Sequence, residues 1–361
     1  MNKDAKIVLL IMSILLMTGI VMIYSSSAVY ADLKYGNSMY FVAKHLLYLG
    51  AGLAAAVACM TVPVRKIAAN ARWIMLISMI LLIAVLIPGI GREAGGARRW
   101  MRFFWIGFQP SEVAKLALIL YLADLTSRKR YLMQDFRYGF FPPLAIIGLI
   151  GGLVLLEPDM GTCVSVIFIG FLILFVAGAR LKHLGAVAAG MVPALWLAIK
   201  CEPYRLKRVL TFFNPLKDAR GSGYQLAQSF IALGSGGFWG VGLGESKQKL
   251  FYLPASHIDF IFSIIGEELG FFGTAAVLVL FAVLIWFSLR IAFKLGDRFA
   301  SYTVFGISAM IAFEVIVNIG VSTGVLPTKG LPLPFISYGG TSLVCHLAAM
   351  GILFNMAREV E

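Results

Sequence analysis

About ten long apolar runs limit what this chain can become more than any other feature. They cover 7–28, 41–61, 73–90, 111–125, 140–156, 162–179, 184–199, 260–293, 302–325 and 343–356. A helix needs roughly 20 apolar residues to cross the hydrocarbon of a bilayer, and these runs approach that length. Backbone in lipid must satisfy its own hydrogen bonds, so such runs become helices rather than open strands. The expected fold is all-α: a polytopic membrane helical bundle of about ten transmembrane helices, with 1–361 as one membrane domain.

Composition agrees, with 60% hydrophobic and 14% charged residues in 361. A net charge of +13 raises the question of nucleic acid. A chain this apolar has no soluble basic face for a duplex, so anionic lipid is the expected partner and nucleic acid is not. Cys59, Cys163, Cys201 and Cys345 are scattered, which leaves neither a disulfide framework nor a CxxC motif. The first run reads as a span rather than a cleaved signal, because no small-residue cleavage site precedes a soluble domain.

An even number of spans puts both termini on one side. With the N-terminus in the cytoplasm, the inner loops hold fifteen of the 31 Lys and Arg residues, so the bare count decides nothing. The distribution says more, because most of the others crowd into 92–102 and 200–249. A short basic outer loop runs against the charge rule and points to an anionic substrate, with a grip on lipid headgroups as the alternative. Residues 201–265 are expected to form a large extracytoplasmic loop between helices 7 and 8. The run 260–293 is too long for one span and is interrupted at Gly266, Glu267 and Glu268, so its first part is expected to be a re-entrant or interfacial turn. No internal repeat supports an inverted-repeat transporter.

Ionisable groups at membrane depth are costly and mark candidate sites. Four clusters qualify. In Gln109-Pro110-Ser111-Glu112-Val113-Ala114-Lys115, Pro110 suits a first helical turn and Glu112 suits the positive end of the helix dipole. Glu112 and Lys115 share a face at a spacing of three, so they are either a self-neutralising pair or part of a substrate site. In Glu157-Pro158-Asp159-Met160-Gly161-Thr162, Asp159 serves equally as a helix N-cap or as a site carboxylate. The glycine-rich run 234–244 lacks the nucleotide P-loop pattern, and close backbone packing is its expected use, with phosphate binding by backbone amides as the alternative. The run Gln248 to Phe260 ends on Asp259, at the junction of loop and apolar segment. Asp259 is placed as a catalytic base, while its spacing from Ser256 equally fits a capping box.

These residues resemble the SEDS family, named for shape, elongation, division and sporulation. The resemblance spans nearly the whole chain. It rests on Gly96-Ala97-Arg98-Arg99-Trp100 running to Gln109-Pro110-Ser111-Glu112, on Pro158-Asp159 with Gly161-Thr162, and on Gly223-Tyr224-Gln225 with Gln228-Ser229. Gln248 to Asp259, Gly266-Glu267-Glu268-Leu269-Gly270 and the segment Leu326 to Gly340 complete it. The Gly-Ala-Arg-Arg-Trp and Pro-Thr-Lys-Gly versions look more like the division branch, FtsW, than the elongation branch, RodA; the sporulation branch, SpoVE, stays open. Ala255, Ile258 and Glu157 depart from the usual Glu, Thr and Gln of the family.

The resemblance implies a peptidoglycan glycosyltransferase that polymerises lipid II at the outer face of the bacterial inner membrane for septal wall synthesis. It implies a class B penicillin-binding protein and other divisome proteins as partners. In this reading Asp259 is the base, and Arg98, Arg99, Lys115 and Lys249 hold diphosphate with Glu112 and Asp159 in support. Trp100, Gln225, Gln228, Gln248, His257 and Lys329 complete the substrate set. A divalent cation, Mg²⁺ or Mn²⁺, bridging Asp259 and diphosphate fits the same chemistry, and no organic cofactor is expected. Two other readings are a lipid II flippase and a non-catalytic scaffold for the penicillin-binding protein.

Overall fold

The computed structural model describes residues 2–94, 97–103, 106–200, 212, 221, 223–328 and 330–359. Helices dominate it. In chain order they are α1 (Lys3–Tyr35), α2 (Tyr40–Thr61), α3 (Val64–Leu86), α4 (Pro110–Arg128), α5 (Phe141–Leu156), α6 (Met160–Val176), α7 (Leu181–Lys200), α8 (Tyr224–Gly236), α9 (Ile261–Lys294), α10 (Arg298–Ser322) and α11 (Gly340–Met356). Among the described residues, seven helical stretches are long and apolar enough to cross a membrane: α1, α2, α3, Phe136–Leu156, α9, α10 and Gly340–Glu359. The α6 helix is apolar but shorter, and α4 carries Glu112, Lys115 and Asp124 along its length.

Local chemistry sets the ends of these helices. Asn2 caps α1 by accepting from the Ala5 amide at 2.8 Å, and α1 stops at Gly36 in the left-handed region. Pro110 opens α4 in its first turn, where a missing N–H costs nothing. Asp4 at the start of α1 pairs with Lys294 at 2.7 Å and Arg290 at 3.4 Å, so the start of α1 and the end of α9 share a face of the bundle. Asp259, just before α9, therefore lies toward the opposite face. The most enclosed spans are α10 and α11, with 67% and 83% of their apolar windows buried. Around this pair α2 packs along α11, α9 and α4 pack along α10, and α3 packs in turn along α4.

Two features depart from the sequence reading. The basic segment after α3 is a three-stranded antiparallel sheet, β1 (Gly91–Ala94), β2 (Ala97–Phe103) and β3 (Ile106–Phe108), in the order β1-β2-β3. Short strands beside polar residues carry little periodic signal, and the sheet is anchored through Tyr48, whose hydroxyl takes the Gly107 amide at 3.2 Å, and Thr341, which donates to the Gly107 carbonyl at 3.1 Å. The long apolar run 260–293 also breaks later than expected. It is helical through Gly266, Glu267 and Glu268 and changes direction at Gly270, at φ 67° and ψ −161°. A Cβ at Gly270 would lie 2.3 Å from the Gly240 nitrogen. Gly270 and the glycine-rich loop thus meet backbone to backbone, with the Phe271 amide on the Gly237 carbonyl at 2.9 Å and the Val241 amide on the Glu267 carbonyl at 2.9 Å. Close backbone packing is the use of Gly236, Gly240 and Gly270.

Candidate active site

A cleft of about 310 Å³ opens between the sheet, the N-terminal ends of α4 and α6, the residues just before α9, and the loop leading into α11. Its ionisable lining is Asp259, Arg99, Glu112 and Asp159, joined by Trp100 and Gln109. Five of the residues expected from sequence therefore meet in one cavity: Asp259, Arg99, Trp100, Glu112 and Asp159.

Asp259 is held by its backbone. Asn318, near the C-terminal end of the membrane helix α10, donates its amide to the Asp259 carbonyl at 3.0 Å and to the Leu331 carbonyl at 2.9 Å. Ser337 donates to the neighbouring Ile258 carbonyl at 2.6 Å. The capping-box reading fails, because α9 begins at Ile261 with Phe260 as its N-cap and no side-chain cap bond. Ser256 instead lies within reach of the Ser26 carbonyl, at 3.4 Å. Gly330 approaches the carboxylate so closely that a Cβ there would sit 3.1 Å from Asp259 Oδ2. Asp259 is half-buried and lines the cleft.

Asp159 fills both roles foreseen for it. It caps α6, accepting from the Thr162 amide at 3.1 Å and the Thr162 hydroxyl at 3.0 Å. It also accepts from Gln109 Nε2 at 3.3 Å and faces Arg99 Nη1 at 3.9 Å. Arg99 is braced from behind, donating to the carbonyls of Glu157 and Pro158. The Glu157 side chain is fully buried, and neither of its oxygens has a hydrogen-bond partner among the described residues. Burial, reinforced by the Asp159 charge and opposed by Arg99, pushes its carboxyl up to about 8.

Other sequence candidates lie elsewhere. Arg98 pairs with Glu93 at 3.7 Å across the β1–β2 ladder, on an exposed surface. Lys115 is buried behind the cleft floor, 2.9 Å from Glu112 Oε1 and in contact with Glu314 of α10, so the pairing reading holds for it and it cannot reach a substrate. Lys249 is buried against Glu268 at 2.8 Å, and Glu268 also accepts from Ser25 of α1 at 2.6 Å. Glu267 gathers the Lys247 amide at 3.0 Å and the Ser246 hydroxyl. The Gly-Glu-Glu-Leu-Gly motif is thus a clasp holding residues 246–249 onto α1 and α9, and Gln248 and Lys249 belong to that clasp.

His257 packs among Phe41, Tyr338 and Tyr30, with the Phe41 ring centroid 4.6 Å away. Burial pulls it down to about 4, so it is a neutral packing group at pH 7. Gln225 and Gln228 lie on α8, which Ser229 ties to Ser263 at 2.6 Å and to the Ser322 carbonyl at 2.7 Å, away from the cleft lining. Lys329 and residues 201–211 and 213–220 of the expected large loop lie outside the described residues.

Sequence reasoning passed over Asn318, Glu314 and His346. All three are buried polar residues inside apolar helices. The rule that intramembrane ionisable groups are functional candidates would have found the last two had it been applied to the middle of the late spans as well as to span ends.

Comparison with known proteins follows this geometry. The family model described as "Cell cycle protein", covering FtsW, RodA and SpoVE, matches residues 5–361. The chain is 42% identical to stage V sporulation protein E of Bacillus subtilis, over 99% of this chain and 98% of that protein. It is also 42% identical to a probable peptidoglycan glycosyltransferase FtsW of Coxiella burnetii, over 100% and 97% of the two chains. Among solved structures, it superposes with a TM-score of 0.79 on a chain of a peptidoglycan synthase complex that coordinates polymerization and crosslinking, at 27% identity and over 97% and 96% of the chains. The rod shape determining protein RodA of Thermus thermophilus superposes at 0.73, with 27% identity over 98% and 96%. Seven apolar helices of membrane-crossing length among the described residues, with a family match over 5–361 and a structural match over 98% of the chain, make this a multi-pass membrane protein and a member of the FtsW/RodA/SpoVE family.

Proposed function

We propose that this protein is a peptidoglycan glycosyltransferase that polymerises lipid II at the outer face of the cytoplasmic membrane, in septal wall synthesis. The observation that carries the reading is the cleft itself. It combines a carboxylate held by its backbone, Asp259, with a braced guanidinium, Arg99, and two further carboxylates.

The chemistry follows from those groups. The acceptor 4-hydroxyl attacks the donor's anomeric carbon. As the new C–O bond forms, Asp259 takes the hydroxyl proton, and the bond from the anomeric carbon to the lipid diphosphate breaks. Arg99, the cation in the cleft lining, offsets the charge gathering on the departing diphosphate. Asp159 and Gln109 orient Arg99 and the sugar, and Trp100 offers a flat apolar face to a pyranose ring. No group of three or more His, Cys, Asp or Glu side chains is gathered among the described residues. A divalent cation would be held by Asp259 and would supply charge stabilisation to the departing diphosphate.

The termini lie in the cytoplasm and the cleft faces outward in this reading. The position of Asp259 at the end of α9 away from Asp4, Arg290 and Lys294 supports it. A class B penicillin-binding protein and other divisome proteins are the proposed partners, supported by the likeness to a complex that couples polymerization to crosslinking. Relatives bearing the FtsW name favour division. The test is polymer formation from purified lipid II, with and without the cognate penicillin-binding protein and with its transpeptidase blocked. Wild type is expected to make glycan strands. A folded complex that makes none would move the function to lipid transport or to scaffolding.

A further inference from the structure

Behind the cleft floor lies a cluster of four ionisable side chains drawn from three helices: Glu112 and Lys115 of α4, Glu314 of α10 and His346 of α11. None is more than 4% exposed. Glu112 and Ser342 line the cleft; the other three side chains do not. The cluster is thus open to substrate at one end and closed in the bundle at the other.

Its proton count follows from the contacts. His346 Nδ1 lies 2.7 Å from the Ser342 carbonyl, and a carbonyl oxygen only accepts, so Nδ1 bears a hydrogen. His346 Nε2 lies 2.7 Å from Glu314 Oε2, a separation at which two unprotonated atoms would repel. A proton on one of the two relieves that repulsion, although the contact is an ion pair and not an aligned hydrogen bond. The charge balance requires the same thing. Glu112, Glu314 and Lys115 leave an excess negative charge, and an isolated buried charge is strongly disfavoured in an apolar bundle. An imidazolium at His346 brings the cluster to neutrality. The charged groups acting on that ring are Glu314 from α10 and Lys115 and Glu112 from α4, and the Phe335 ring packs beside it at 5.8 Å.

We propose that His346 is a positioning residue for the polymerising site: held as an imidazolium by Glu314, it balances the buried cluster and so keeps Lys115 shared between Glu314 and Glu112, fixing Glu112 in the cleft floor. Without that charge, Glu314 competes fully for Lys115 and Glu112 is released. The role of Glu112 toward substrate rests on the proposed glycosyltransferase reading, whereas the protonation of His346 does not.

Two measurements test it. The first is ¹⁵N NMR of histidine-labelled full-length protein in lipid nanodiscs, with the His346 signals identified by their loss in H346Q. Two protonated ring nitrogens at pH 7 are expected. A neutral ring with one bare nitrogen would overturn the proposal, whatever the protein's activity. The second is a charge-balance cycle read as lipid II polymerisation at saturating and limiting substrate. H346Q leaves the cluster with one excess negative charge, and its rate is expected to fall roughly tenfold or more. Adding E314Q removes that excess, and the double variant is expected to recover most of the lost rate. A role in packing alone predicts a double variant at least as impaired as H346Q, and that result would overturn the proposal. If wild type makes no polymer, the glycosyltransferase reading fails while the NMR result still decides the state of His346.

Discussion

The cleft around Asp259 and the cluster around Lys115 are built from the same residue types and put them to opposite uses. In the cleft, Asp259 is held through its backbone by Asn318 and its carboxylate faces the cavity. In the cluster, Lys115 is 1% exposed and its charge is consumed by Glu112 and Glu314. A charge that acts on substrate must have its main chain fixed and its side chain within reach; a charge that only holds helices together is matched on every side. Glu112 belongs to both regions, which makes the floor of the cleft the place where structure is handed to chemistry.

The largest effect that could break this contrast is at the base. Asp259→Asn is expected to lower lipid II polymerisation by roughly 10²- to 10⁴-fold while thermal unfolding in detergent is unchanged. Activity near wild type would remove Asp259 from the chemistry. Lys115→Met should do the reverse, lowering stability by about 3–5 kcal/mol because two buried carboxylates lose their cation. Stability near wild type would show that the carboxylates are already protonated.

The two neighbouring arginines sharpen the contrast further. Arg99→Ala should weaken substrate use roughly 10- to 100-fold, seen as a rise in KM, since a charge-assisted contact to diphosphate is lost. Arg98→Ala should change it less than about twofold, because its partner is an exposed Glu93. Equal losses would mean that the sheet as a whole, and not Arg99, meets the substrate.

The last expected effect is confined to a pH window and concerns Glu157. Its folded carboxyl titrates near 8, above the ordinary value of 4.5, so the folded state holds a proton that the unfolded chain releases. Stability from this group is full below pH 4.5 and is lost as pH rises from there toward 8. Glu157→Gln removes that dependence. The variant should match wild type near pH 4.5 and exceed it near pH 8 by a few kcal/mol, since each pH unit between those two values is worth roughly 1.4 kcal/mol. Equal melting curves across that range would mean that the Glu157 carboxyl finds water or a partner in solution.

Different parts of the protein were legible to different degrees. Residues whose role is set by their neighbours in sequence could be read early. Pro110 opening α4 and Asp159 capping α6 are local events, and the spacing of Glu112 and Lys115 placed them on one face. The partners of Lys249, Glu268 and Ser25, are distant in the chain, so its pairing could not be read from sequence. Basic residues beside a catalytic motif look alike whether they serve substrate or structure. The sequence suggests an interruption and a re-entrant turn at Gly266, Glu267 and Glu268, yet the helix runs through them, gives both carboxylates partners and bends at Gly270, where only a residue without Cβ fits against Gly240.

The sequence by itself determined that this chain is a helical membrane protein of the SEDS type and that Asp259 stands at the mouth of a span. Apolar length and motif order are properties of the chain alone. Only the tertiary structure decided which charges face the cleft and which are spent inside the bundle. That choice depends on what packs opposite each side chain: Glu314 and His346 come from helices some two hundred residues beyond Lys115 in the chain, and no local pattern could bring the three together.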